Sequence, residues 1–216
     1  MTVVGYDELI QKQFQELHVK YPSLSLKQID DNYYLIGFLG FSSEFDGVKI
    51  QDGFELFITI PCEYPNRMPT VKETGGRIPI DFHHSGDDLC LGTPVDNWIK
   101  FCKRKTLIGF VEILVVPFLF SFCSNKETGH MPFGQRSHYG LGIIEFYREL
   151  FKVSDFIAAQ KFLKILASGE YSRDKTCPCN SGRRLKKCHG PKILEAMNTI
   201  PIEYFQYEYR QSQFQG

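Results

Sequence analysis

The sequence predicts an α+β fold carrying a small metal-binding appendage. Three observations predict it: an amphipathic helix pattern precedes a set of short strand-like runs, apolar helical patterns fill most of the chain beyond residue 106, and Cys and His crowd into residues 177–190. Strands and helices that come in separate blocks form an antiparallel sheet packed by helices, whereas strict alternation would give a parallel one.

Over residues 6–19, Leu9, Ile10, Phe14, Leu17 and His18 recur at helical spacing, and Tyr21-Pro22 ends the run. Strand candidates follow at 33–41, 48–50 and 54–60, separated by the turn-rich 42–47 and by Gln51-Asp52-Gly53, so a meander is expected. Residues 69–73 supply a fourth strand with Pro69 tolerated at its first position. Residues 75–98 lack periodicity and are rich in Gly, Pro, Asp and His, which places Cys90 on a loop or short turn. Thr106 caps a helix reaching about residue 122 and bent near Pro117. Further helices are expected at 143–153, at 155–168 before Gly169, and at 192–198, ahead of an aromatic and Gln-rich tail.

With 216 residues and 25 Lys plus Arg against 25 Asp plus Glu, the chain has room for one core and an appendage. Its balanced charge gives no overall field towards nucleic acid or an anionic membrane. The N-terminus has neither the basic start nor the apolar run of a secretory signal, so a cytoplasmic protein is expected. The apolar run 107–123 contains Glu112 and Pro117 and reads as a buried helix, short of the roughly 20 clean residues that span a bilayer. Seven cysteines, three of them within 177–188, suit reduced thiols and a metal better than a disulfide framework.

A thiol carries acyl groups well, because the thiolate is a strong nucleophile and the thioester stays reactive towards amines. Cys90 follows the polar Ser85-Gly86-Asp87-Asp88, which argues for access to solvent, while the two carboxylates disfavour its thiolate unless His83 or His84 offsets them. The opposing reading is a small buried hydrophobe between Leu89 and Leu91. Cys62, Cys102 and Cys123 read as core or incidental residues.

The order of Tyr64-Pro65-Asn66-Arg67-Met68-Pro69, Leu89-Cys90-Leu91 and Trp98 after a strand resembles the core of the ubiquitin-conjugating enzymes, over roughly residues 6–122. That resemblance implies their fold, a thioester on Cys90, and a Tyr-Pro turn and Trp98 that fix the active-site loop. The His-Pro-Asn triplet of the eukaryotic enzymes is replaced here by Ile80-Asp81-Phe82. His83-His84, and the stretch 133–147 with His138, look like the divergent bacterial branch, which makes His83, His84 and His138 candidates for assisting Cys90. His83 and His84 equally fit a loop-pinning role, and for His138 loop packing is the better expectation.

Cys177, Cys179, Cys188 and His189 offer three thiolates and one imidazole, the donor set of tetrahedral zinc. The segment is too small for a core of its own, so metal binding would supply its folding free energy. It resembles the SEC-C motif, which implies structural zinc and a protein-contact role. Arg183, Arg184, Lys186 and Lys187 make it basic, either as a solvated face offsetting the zinc-thiolate charge or as a nucleic-acid contact. Without aromatic stacking residues in the knuckle, protein docking is the better expectation.

The expected organisation is a ubiquitin-conjugating-like catalytic domain over 1–154 and a helical extension over 155–216 with the knuckle at 177–190. The bacterial resemblance implies anti-phage defence of the CBASS kind. There the carboxyl donor is a cyclic-oligonucleotide synthase (a cGAS-like nucleotidyltransferase) or a ubiquitin-like protein. No Gly-x-Gly-x-x-Gly loop follows a strand, so a separate activating enzyme, or a donor that reacts without one, is expected. The alternatives are a catalytically silent binding module of the same fold and a zinc-dependent nucleic-acid adaptor.

Overall fold

The structure is a computed structural model that describes residues 3–30, 32–133, 137 and 139–213. It is a mixed α+β protein with an antiparallel sheet, helices and a C-terminal metal-binding knuckle. Two compact units form, one of Met1–Leu91 with Lys100–Gly134 and one of Gly92–Ile99 with Gln135–Gly216. The sequence puts its boundary after residue 154; by compactness, the helix 139–151 groups with the knuckle-bearing extension.

In the first unit, α1 (Val3–Lys20) precedes a sheet in the order β1 (Leu24–Ile29), β2 (Asn32–Phe45), β3 (Val48–Ile60) and β4 (Thr70–Glu73), all antiparallel. β1 is a strand that the reading of turn residues did not anticipate. The expected strands at 48–50 and 54–60 are one, because the hairpin turns earlier. Asp46 (φ +50°) and Gly47 (φ +76°) form the two-residue turn between Phe45 and Val48, as a type I′ hairpin requires. Asp52-Gly53 then lies within β3. There a Cβ on Gly53 would stand 2.3 Å from the Phe38 ring across the ladder, so this glycine makes room for an aromatic.

Tyr64 and Gln13 tie the unit together from inside. The buried Tyr64 hydroxyl donates to Gln13 Oε1, which also accepts the backbone N–H of Leu107 at 2.9 Å. One helix residue thereby satisfies both the Tyr-Pro turn and the first turn of the next helix, where Thr106 Oγ1 accepts from Gly109 N at 3.0 Å.

α2 (Pro94–Phe101) is a helix where irregular chain was expected. Beyond it, α3 (Leu107–Phe110), a π segment (Val111–Val115) and α4 (Val116–Thr128) run on continuously, past the expected end near 122. Pro117 has no N–H for the carbonyl one turn back, and the helix widens into the π turn just before it instead of breaking. The 22 residues Leu107–Thr128 are long and apolar enough to cross a bilayer, a correction to the expected shortfall, but 78% of their most apolar window is buried. Phe122 meets Phe54 of β3 edge-on at 5.8 Å, so this is a core helix.

The second unit is helical: α5 (Tyr139–Phe151), α6 (Phe156–Ser168), α7 (Gly190–Thr199) and α8 (Ile202–Gln211), with the knuckle between α6 and α7. Gly169 (φ +70°) ends α6, as the sequence predicts, while Asp155, read from the sequence as the first helical residue, stands outside as its cap, accepting from Ile157 N at 2.9 Å. α8 replaces the expected tail. Its buried face carries Phe205 and the fully buried Glu208. Glu208 accepts from Val95 N at 2.7 Å and from the Tyr147 hydroxyl at 2.6 Å, so a remote carboxylate caps the start of α2. Burial pushes Glu208 up to about 7 against those two hydrogen bonds. Trp98 donates its indole N–H to the Thr199 carbonyl at 2.9 Å and lies 5.5 Å from the Tyr204 ring.

Candidate metal centre and candidate thiol site

Tight backbone turns bring the four knuckle donors together. Cys177 N donates to the Arg183 carbonyl at 2.8 Å, Thr176 bridges Arg184, and Asn180 (φ +62°) and Gly182 (φ +73°) take left-handed conformations that reverse the chain between them. The ligand atoms of Cys177, Cys179, Cys188 and His189 all lie within 4.8 Å of one another. Cys177 Sγ and Cys188 Sγ stand 3.2 and 3.3 Å from His189 Nδ1, and Cys179 Sγ stands 3.5 Å from Cys188 Sγ. Sulfurs about 2.3 Å from a tetrahedral cation sit about 3.8 Å apart, so the cluster fits a metal ion with little adjustment.

The imidazole is pre-set for that role. His189 Nε2 lies 2.9 Å from the Phe151 carbonyl at the end of α5, so it carries the proton and Nδ1 turns its lone pair to the sulfurs. The rings of Phe151 and Phe162 lie 6.1 and 4.9 Å from the same imidazole. Burial pushes the Cys177 thiol up to about 11. Burial also opposes ionisation of Cys179, yet hydrogen bonding from Ser181, whose hydroxyl is 3.2 Å away, brings it down to about 6. On the basic face, Asp174 gathers Lys186 at 2.6 Å, Arg184 at 3.3 Å and Arg173 at 3.7 Å, so part of that charge is compensated locally.

Cys90 is held by different means. β5 (His84–Ser85) and β6 (Asp88–Leu89) form a minimal hairpin, with Gly86 (φ +64°) at the first turn position as type II′ geometry requires. Cys90 N donates to the His83 carbonyl at 2.7 Å, closing the hairpin immediately beneath the thiol residue. Leu89 is buried and Cys90 half-buried, so the thiol residue retains access to solvent. Lys72 pairs with Asp87 at 3.1 Å and offsets one of the two nearby carboxylates.

His83 takes a left-handed backbone (φ +46°), and its ring meets Phe82 edge-on at 4.9 Å. The Nδ1 of His84 lies 2.9 Å from the Phe82 carbonyl, which makes this side chain a brace of its own loop. His138 lies outside the described residues. The anchor missed in the sequence is Phe82, whose ring also meets Phe118 at 5.9 Å and Phe122 at 5.0 Å on α4. A single aromatic between Asp and His gives no periodic signal, so only the folded chain reveals it. Of the remaining cysteines, Cys62 and Cys102 are exposed and Cys123 is buried, with burial pushing its thiol up to about 12.

A model of the SEC-C motif matches residues 175–191, the segment that holds all four candidate ligands. No curated protein and no solved structure matches the chain.

Proposed function

We propose that this protein is a ubiquitin-conjugating-like acyl carrier of the cytoplasm, with Cys90 as its nucleophile and structural zinc at Cys177, Cys179, Cys188 and His189. The observation that carries the reading is the setting of Cys90: a half-buried thiol residue on a braced hairpin that follows an N-terminal helix, a four-stranded antiparallel meander and a Tyr-Pro turn whose Tyr64 is buried. Three thiolates and an imidazole suit zinc, which would close the knuckle that lacks a core of its own.

In the proposed reaction the Cys90 thiolate attacks an activated C-terminal carbonyl carbon of a donor protein, and the activating group leaves. An acceptor amine then attacks the thioester carbon, the C–S bond breaks, Cys90 recovers its thiolate and the amine nitrogen gives up a proton. His83 and His84 serve as positioning residues, one through its backbone carbonyl and the other through its bond to the Phe82 carbonyl. A cyclic-oligonucleotide synthase in anti-phage defence is the proposed donor, with a ubiquitin-like protein as the alternative and a separate activating enzyme upstream.

Denaturing mass spectrometry of the chain expressed with its flanking genes tests this. The expected product is an adduct on Cys90 that thiols remove, and Cys90→Ser should convert it to a thiol-resistant ester. Absence of both adducts contradicts the reading. The half-burial of Cys90 also fits a binding module of the same fold. That module would keep both partner binding and biological output in Cys90→Ala, whereas the carrier loses the output.

A further inference from the structure

Of the knuckle's four donors, Cys177 is buried and the other three are half-exposed, with His189 alone of those three tied to a neighbouring helix through its ring. Cys177 is 2% exposed, and its backbone N–H is bonded to the Arg183 carbonyl. His189 is anchored through Nε2 to the Phe151 carbonyl and packs against Phe162. Cys179 and Cys188 are half-exposed, their sulfurs are 3.5 Å apart, and the exposed Ser181 hydroxyl lies 3.2 and 3.5 Å from them. A disulfide bond is about 2.0 Å long, so these two sulfurs need to approach by only about 1.5 Å. A bridge from Cys177 to Cys179 would have to close over Pro178, whose ring fixes the backbone between them.

We propose that Cys179 and Cys188 are a peroxide-sensitive pair whose oxidation to a disulfide expels the knuckle's metal, so that the site doubles as an oxidative modification site. The proposal rests on the zinc reading above. One thiolate attacks an oxygen of hydrogen peroxide, the O–O bond breaks and hydroxide leaves, giving a sulfenic acid. The second thiolate attacks that sulfur, the S–S bond forms and a second hydroxide departs. Two electrons have passed from the sulfur pair to the peroxide, two protons from solvent complete two waters, and the cation, stripped of two of its four ligands, leaves for solvent. His189 stays anchored on Phe151 and packed against Phe162, and Cys177 stays buried, which keeps half of the donors in place for reloading after reduction.

The test uses the full chain, its zinc content measured first. Hydrogen peroxide is titrated in, released zinc is read with a chromogenic chelator, and bridges are mapped by differential alkylation and peptide mass spectrometry. The expected result is one zinc released per Cys179–Cys188 disulfide, restored by dithiothreitol and added zinc. Exposed Cys62 reports independently that oxidant has reached the protein. Zinc retained after Cys62 is oxidised, or a bridge through Cys177, overturns the proposal while leaving the zinc reading intact. A chain that neither contains nor takes up zinc overturns both.

Discussion

The two compact units hold their cysteines in opposite ways. In the second, three sulfurs and an imidazole converge within 4.8 Å, and a carbonyl, two aromatic rings and a serine hydroxyl fix their aim. In the first, backbone geometry shapes the Cys90 loop: a type II′ turn, one N–H···O bond and an aromatic plug at Phe82. Convergence of donors suits a metal ion, whereas Cys90 sits half-buried on a braced turn. The contrast teaches that a cysteine's role follows from what surrounds its sulfur more than from its own exposure, since Cys90, Cys179 and Cys188 are all half-exposed.

Removing a knuckle ligand should have the largest effect. Cys177→Ser, or stripping the metal with a strong chelator, should cost several kcal/mol and lower Tm by about 10 °C or more, because metal binding supplies the knuckle's folding free energy. Cys90→Ala should change stability by less than about 1 kcal/mol. Scanning calorimetry of both variants would break the comparison if their effects were alike.

The units should also answer to pH with opposite signs. Glu208 is raised from 4.5 to about 7 in the folded chain, so its contribution is present below pH 4.5 and is lost as pH rises through 7. Urea melts should show stability falling across that window by up to about 3 kcal/mol. Glu208→Gln should flatten the fall, since the amide oxygen still accepts from Val95 or Tyr147.

In the first unit, the Arg77 guanidinium at 2.8 Å holds Asp52 down to about 2 from 3.8. Its contribution is present above pH 3.8 and is lost as pH falls through 2. The pair is partly exposed, so Asp52→Asn should cost less than about 1 kcal/mol at neutral pH, a smaller effect than that of Glu208. Acid titration of the variant beside the parent would show a shallower acid limb, and an unchanged limb would remove this half of the contrast.

What the sequence disclosed follows the same division. Local signals were legible: Thr106 as a cap, Gly169 as a stop, and the Cys and His spacing of the knuckle. Features decided by distant partners were not. Asp52-Gly53 looks like a turn until the register sets Gly53 beside Phe38, and α8 looks like a tail because a glutamate occupies one of its buried positions. Pro94 at the start of α2 was a usable helix signal hidden among turn residues. The Cys90 loop depends on Phe82 meeting two phenylalanines nearly forty residues on, which no local pattern encodes.

Time-resolved alkylation of the metal-loaded chain, with each cysteine followed by peptide mass spectrometry before and after chelation, tests the contrast most directly. Cys90 should label promptly and independently of the chelator, while Cys177, Cys179 and Cys188 should label together and only after the metal is withdrawn. A Cys90 that resists labelling in the folded protein, or knuckle thiols that label equally fast with the metal in place, would contradict it.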